Sequence, residues 1–143
     1  MDTSALEVSA EKRQELMELV RRHGIRLLVA FGSQVKGQTH AASDLDLAVL
    51  LHRPGGGDDP MRLAADLQRL FPGRDVDVVW LHRADPLLSR EIFQRAQLLY
   101  GDPQDMLRYR MYAWRRFVEY GRFFALEADA VRRGIDRLRR ARR

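Results

Sequence analysis

Residues 45–51 read LDLAVLL, a run that reads as a buried strand. Successive side chains of a strand point to opposite faces, so Leu45, Leu47, Val49 and Leu51 line one side while Asp44 and Asp46 share the other. The pattern therefore sets two carboxylates side by side at the mouth of a buried strand. An unpaired charge is expensive there, and Asp46 inside the apolar run calls for a chemical reason.

The neighbouring sequence supplies a frame for this strand. Ser9 is placed to cap a helix that runs to about His23, with Leu16, Leu19 and Val20 at helical spacing and Gly24 as its stop. Residues 25–31, IRLLVAF, read as a first short strand, followed at once by Gly32-Ser33. After a loop, RPGGGDDP, Asp59-Pro60 opens a helix whose stripe is Leu63, Leu67 and Leu70. Residues 75–81, DVDVVWL, make a third strand, with Val76, Val78 and Trp80 on one face and Asp75, Asp77 and Val79 on the other. Asp85-Pro86 starts a helix to about Ala96, and residues 98–100 form a short fourth strand before Gly101-Asp102-Pro103. From Pro103 onward the pattern is helical.

The expected fold is therefore α/β (α+β), a small mixed sheet of three to four strands flanked by helices. Residues 1–102 form its core and residues 103–143 a long helical extension. In that extension Trp114, Phe117, Gly121, Phe124, Ala128, Val131, Ile135 and Leu138 alternate spacings of three and four, a heptad-like seam. The seam packs either on the domain's own sheet or on a partner helix, and Gly121 and Gly134 weaken it where the helix would break.

At 143 residues the chain fits one domain with a single core. It has no cysteine, which removes disulfides, thiolate metal sites and a Cys nucleophile and accords with a reducing cytoplasm. No apolar run reaches the roughly 18 residues of a membrane span. The N-terminus lacks the form of a signal peptide. The net charge of +5 is concentrated at one end: residues 132–143 hold seven Arg and one Asp, and the remainder of the chain is close to neutral. Such a tail reads as a solvated helix end, and nucleic acid is not the expected partner.

Clustered carboxylates are tolerated when a hard cation offsets their repulsion. Mg2+ commonly uses one or two carboxylates and completes its shell with waters and phosphate oxygens. Asp44 and Asp46, joined by Asp77 from a neighbouring strand, would supply such a half-open site. Two ions about 3.5–4 Å apart can clamp the attacking and leaving oxygens of a displacement at phosphorus. Parity alone does not separate Asp77 from Asp75, although Asp75 lies at the strand entrance and is the better candidate for a solvated residue. Gly32 permits close backbone approach, and the N–H groups of a short helical segment at 33–37 can cradle phosphate. The Ser33 hydroxyl, the Lys36 ammonium and Ser43 beside the carboxylates complete the candidates for gripping a triphosphate.

The string GSQVKGQTHAASDLDLAVL resembles the Gly-Ser-(ten residues)-Asp-x-Asp signature of the DNA-polymerase-β-like nucleotidyltransferases. Within them it is most similar to the minimal nucleotidyltransferases, the antitoxin halves of HEPN–MNT toxin–antitoxin pairs. VDVVWLHRADPLLSREIFQRAQLLYGD, residues 76–102, extends the resemblance, which covers roughly residues 10–120. It implies that Asp44, Asp46 and Asp77 are metal ligands, that Asp77 also assists deprotonation of the acceptor, and that Gly32 and Ser33 bind the nucleotide phosphates. Lys36 stands where many members carry Arg and loses that residue's bidentate geometry. The implied reaction transfers AMP from ATP to a tyrosine hydroxyl of a HEPN ribonuclease toxin, with Mg2+ as cofactor and a hetero-oligomer with the toxin as the assembly.

Two other functions compete: an antitoxin that acts by covering its toxin without chemistry, and a small-molecule nucleotidyltransferase of the antibiotic-modifying type, which a chain this short has little material to enclose. His23, His40, His52 and His82 lack metal-ligand spacing, so no zinc site is expected. Trp80 and Trp114 are expected in the core.

Overall fold

The computed structural model describes residues 8–32, 44–55 and 59–141. Within them lie, in chain order, α1 (Ala10–His23), β1 (Ile25–Phe31), β2 (Leu45–Leu51), α2 (Pro60–Leu70), β3 (Val76–Trp80), α3 (Pro86–Gln94), β4 (Gln97–Tyr100) and α4 (Pro103–Ala141). The strands form one mixed sheet in the order β3-β2-β1-β4. β1 runs antiparallel to both β2 and β4, and β2 runs parallel to β3.

The helix boundaries have local causes. The Ser9 hydroxyl accepts from the Lys12 N–H, and Gly24 closes α1 in the left-handed conformation, φ 62°. Asp59 and Asp85 cap α2 and α3, each followed by a proline whose missing N–H costs nothing in the first turn. α3 ends at Gln94, two residues short of the sequence expectation, because the chain must extend again for β4 at Gln97.

The sheet is covered on both sides. Leu45, Leu47, Val49 and Leu51 of β2 pack with α1 and α2, while Ala48 and Leu50 pack with α3 and the start of α4. β2 is thus buried on both faces, as its composition requires, and each leucine there gains roughly 1.5–3 kcal/mol from burial. β1 carries a bulge. Ile25 pairs with Leu51 and Leu27 with Leu50, so Arg26 has no partner on β2. The bulge turns Arg26 toward α4, where its Nε and Nη2 donate to Asp105 at 2.9 Å each. This bidentate pair ties the first turn of α4 to the sheet.

α4 runs unbroken for 39 residues through Gly121 and Gly134, so neither glycine marks the expected break. Only Met106 and Ala113 of α4 are buried. Trp114, expected in the core, is 57 % exposed. Its heptad position points away from the sheet because α4 meets the domain only through its first turns. No helix among the described residues is long and apolar enough to cross a membrane.

One buried polar contact joins α1 to α2. His23, 2 % exposed, meets Asp66 Oδ2 through Nε2 at 2.7 Å. The hydrogen bond from His23, aided by the charges of His23, Arg22 and Arg69, holds the Asp66 carboxyl below the ordinary carboxylate range against the opposing effect of burial. Its contribution to stability is complete above the unfolded pKa of about 3.9 and is lost as pH falls through the lower folded value. Asp66→Asn is expected to cost about 1–2 kcal/mol in denaturant unfolding at pH 7. The gap from the native chain should narrow when the same titration is run at about pH 3; a gap that widens there would refute this account.

Candidate active site

Three chain segments meet at one end of the sheet: the last residues of β1 and the first residues of β2 and β3. Phe31 of β1 pairs with Asp46 of β2, and Asp46 pairs with Asp77 of β3. The three stand in one row across the sheet, with neighbouring strands about 4.8 Å apart. Ala48, two residues beyond Asp46, and Val79, two beyond Asp77, both pack in the α3–α4 layer. Asp46 and Asp77 therefore project on that same face, side by side. Asp44, on the approach to β2, is exposed, as is Asp77, whereas Asp46 is half-buried.

The electrostatics reflect this arrangement. Burial pushes the Asp46 carboxyl above the ordinary carboxylate range, and the negative charges of Asp77 and then Asp44 push it the same way. Asp77 and Asp44 are thus both within electrostatic reach of Asp46. Asp75 lies just before β3 and is exposed. Its carbonyl accepts from the Leu45 N–H at 2.8 Å, so it joins the two strand entrances through its backbone.

Gly32 is held against Asp46. Its φ is +80°, and a Cβ placed there would collide with Asp46 Oδ2 and stand 3.4 Å from Asp46 Cγ. Glycine is required twice over, for the dihedral and for the close approach. Ser33, Lys36, His40, Ser43 and the helical segment expected at 33–37 lie outside the described residues.

Gln68 of α2 is a further positioning residue that motif spacing did not reveal. Its side-chain amide donates to the Arg74 carbonyl, and its oxygen accepts from the Val76 N–H at 3.0 Å. It grips the backbone on either side of Asp75 and so sets where β3, and with it Asp77, begins. No local sequence signal marks it, because the contact depends on how α2 lies over the strand entrance.

Among the described residues no three His, Cys, Asp or Glu side chains enclose an ion by themselves. The chemistry of the donor set would still suit a hard divalent cation: it offers carboxylate oxygens, and positive charge would offset the burial and the repulsion from Asp77 and Asp44 that raise the pKa of Asp46. Mg2+ suits such a partial set because waters and phosphate oxygens complete its shell.

Comparison with known proteins bears on the family and the fold. The family described as polymerase beta, nucleotidyltransferase matches residues 14–105. A Methanocaldococcus jannaschii protein named "Putative protein adenylyltransferase" is 27 % identical over 86 residues, spanning 60 % of this chain and 91 % of that protein. A chain from the crystal structure of a toxin–antitoxin with AMP-PNP superposes with a TM-score of 0.62 at 22 % identity, covering 85 % of this chain and 96 % of that one. A chain from the tri-AMPylated Shewanella oneidensis HEPN toxin in complex with MNT antitoxin gives a TM-score of 0.57 at 22 % identity, covering 87 % and 96 %. At these identities the structural matches establish a shared fold.

Gly32 and Gly24 offer a controlled comparison. Both have positive φ, but a Cβ at Gly24 meets nothing within 4 Å. Each change to Ala carries about 1–2 kcal/mol of backbone strain. Gly24→Ala is expected to lower the melting temperature and leave Mg2+-dependent ATP binding intact. Gly32→Ala should lower both, since it displaces the Asp46 carboxylate. Calorimetric titration with ATP and Mg2+ checks the pair, and equal binding by the two variants would remove Gly32 from the site.

Proposed function

The chain belongs to the polymerase beta nucleotidyltransferase family, and from that premise we propose that it is a Mg2+-dependent protein adenylyltransferase that moves AMP from ATP to a tyrosine hydroxyl of a HEPN-type toxin and thereby neutralises it. The observation that carries this reading is the Asp46–Asp77 pair, in register on adjacent parallel strands with Gly32 packed against the first carboxylate. The family likeness, the adenylyltransferase relative and the shared fold of toxin–antitoxin chains support the choice of acceptor.

Asp44, Asp46 and Asp77 would hold the metal, whose positive charge neutralises charge developing at the α-phosphate. Gly32 brings backbone close to the phosphates, with Ser33, Lys36 and Ser43 gripping the triphosphate. The tyrosine oxygen forms a bond to the α-phosphorus, the bond from that phosphorus to the β-bridging oxygen breaks, and pyrophosphate leaves. The hydroxyl proton passes to Asp77, which stands exposed at the rim. In-line placement of the two reactants supplies much of the rate. ATP as donor and the cysteine-free chain accord with a cytoplasmic setting.

Neutralisation by covering is the second reading, and the exposed length of α4 favours it. Asp46→Asn separates the two. AMP transfer from labelled ATP to the co-purified toxin should fall at least about a hundredfold, because metal stabilisation of several kcal/mol is lost. Full toxin neutralisation by this variant in cells would promote covering over chemistry.

A stability effect of opposite sign should accompany the loss. The folded pKa of Asp46 is raised, so its stabilising contribution is present below the unfolded value and is lost as pH rises through the folded one. At pH 7 without metal, Asp46→Asn should therefore melt at a higher temperature than the native chain. A lower melting temperature would show that the carboxylate is not under repulsion.

A further inference from the structure

Among the described residues, twelve of the fifteen exposed large apolar side chains lie on α4. Every residue from 118 to 141 is exposed, about 36 Å of helix at 1.5 Å per residue. Phe124, Val131, Ile135 and Leu138, the last 68 % exposed, continue the three-and-four seam that starts at Trp114, while Val118, Tyr120, Phe123 and Leu126 are exposed outside it. Gly121 also lies on that seam. A Cβ there would meet nothing within 4 Å among the described residues, so no described contact accounts for a mid-helix glycine that costs about 1 kcal/mol relative to Ala. Close approach of a second helix would account for it.

Charge narrows the choice of occupant. At the near end of the seam Arg90 of α3 lies over the Phe117 ring at 4.4 Å, and its Nε is buried without an acceptor. Together with Arg108, Arg110 and Arg115 it lines a cavity of about 760 Å³ that has no acidic residue in its wall. At the far end, residues 132–143 carry seven Arg and one Asp. A second copy pairing in parallel would set that tail beside its twin. One pairing antiparallel would set it against the Arg108–Arg116 turns. Both place like charges together. A nucleic acid would satisfy the arginines and could stack on Trp114 and Phe124, but it offers nothing to the aliphatic Val131, Ile135 and Leu138.

We propose that α4 is a docking rail for a protein partner that presents an acidic amphipathic helix, with apolar side chains entering the seam and carboxylates reaching the arginines at its two ends. The inference rests on the reading above in one respect, that the docked partner is the AMP acceptor.

The test uses the full chain and two synthetic coiled-coil peptides with Leu at positions a and d. One carries Glu at e and g, the other Lys. By fluorescence anisotropy the Glu peptide should bind, more weakly as salt rises, and the Lys peptide at least about tenfold less tightly. Phe124→Asp and Ile135→Asp should each weaken the Glu peptide by about tenfold or more with helicity by circular dichroism unchanged. Asp46→Asn should bind the peptide as the native chain does, so a failure of catalysis and a failure of docking are read separately. The proposal is overturned by absence of Glu-peptide binding or by equal affinity for both peptides. It is equally overturned by sedimentation as a dimer that Ile135→Asp dissociates, or by a single-stranded oligonucleotide that competes for the seam as tightly as the peptide.

Discussion

A carboxylate at the mouth of a strand buried on both faces is the constraint from which the rest of the structure follows. β2 lies between β1 and β3, and every residue of it except Asp46 is buried. A slip of one residue would drive Asp46 into the α1–α2 layer and expel the leucines, so the core fixes the face on which the carboxylate stands. Packing of the neighbours therefore holds Asp46 against Gly32 and beside Asp77, at a place where burial and like charge both disfavour its ionised form. The same arrangement becomes favourable once positive charge arrives. A site of this kind is destabilising alone and stabilising when loaded, which is how a fold can store affinity for a metal nucleotide.

The parts of this site that were legible in the sequence are those governed by local period. Alternation along LDLAVLL set the faces of Asp44 and Asp46, and the Val76, Val78, Trp80 parity set the face of Asp77; the two cores confirm the layers to which those apolar residues belong. Parity does not give register, so it does not separate Asp75 from Asp77; the family resemblance pointed to Asp77, and Asp77 is the residue in register with Asp46. Gln68, the Arg26 bulge and the His23–Asp66 contact were not legible for a related reason. Each depends on how one element lies across another, and nothing in the immediate sequence of either partner announces it. Gly32 was read as a place where backbone approaches phosphate; among the described residues, what lies against it is the Asp46 carboxylate.

α4 shows the converse limit. Its seam was visible as spacing, and the helix forms where the spacing predicts it. Spacing reports that one face is apolar; it carries no information about which surface covers that face. The Arg26–Asp105 pair and the Met106 and Ala113 contacts anchor only the first turns, and beyond them the sheet offers no more area. A four-stranded sheet whose strands have at most seven residues spans about 23 Å along a strand, whereas a 39-residue helix extends about 58 Å. Trp114 is 57 % exposed close to where α4 leaves the domain, with Arg90 of α3 lying over its ring.

These lengths bear on what kind of acceptor the site can serve. A small acceptor must be enclosed by the enzyme, since tight pockets bury 70–90 % or more of a ligand's surface, as a rough guide. The cavities against α4 and the one between α1 and α2 leave all three aspartates out of their walls. Asp44 and Asp77 are instead exposed at the entrances of β2 and β3. A macromolecular acceptor does not need enclosure, because it brings its own surface and can be held far from the reacting atoms. Binding energy gained at a remote surface is then spent on orienting the reacting group. On the proposed function, the chemistry would be kept to a few carboxylates at the end of a small sheet, and recognition would be delegated to a helix that the sheet is too short to cover.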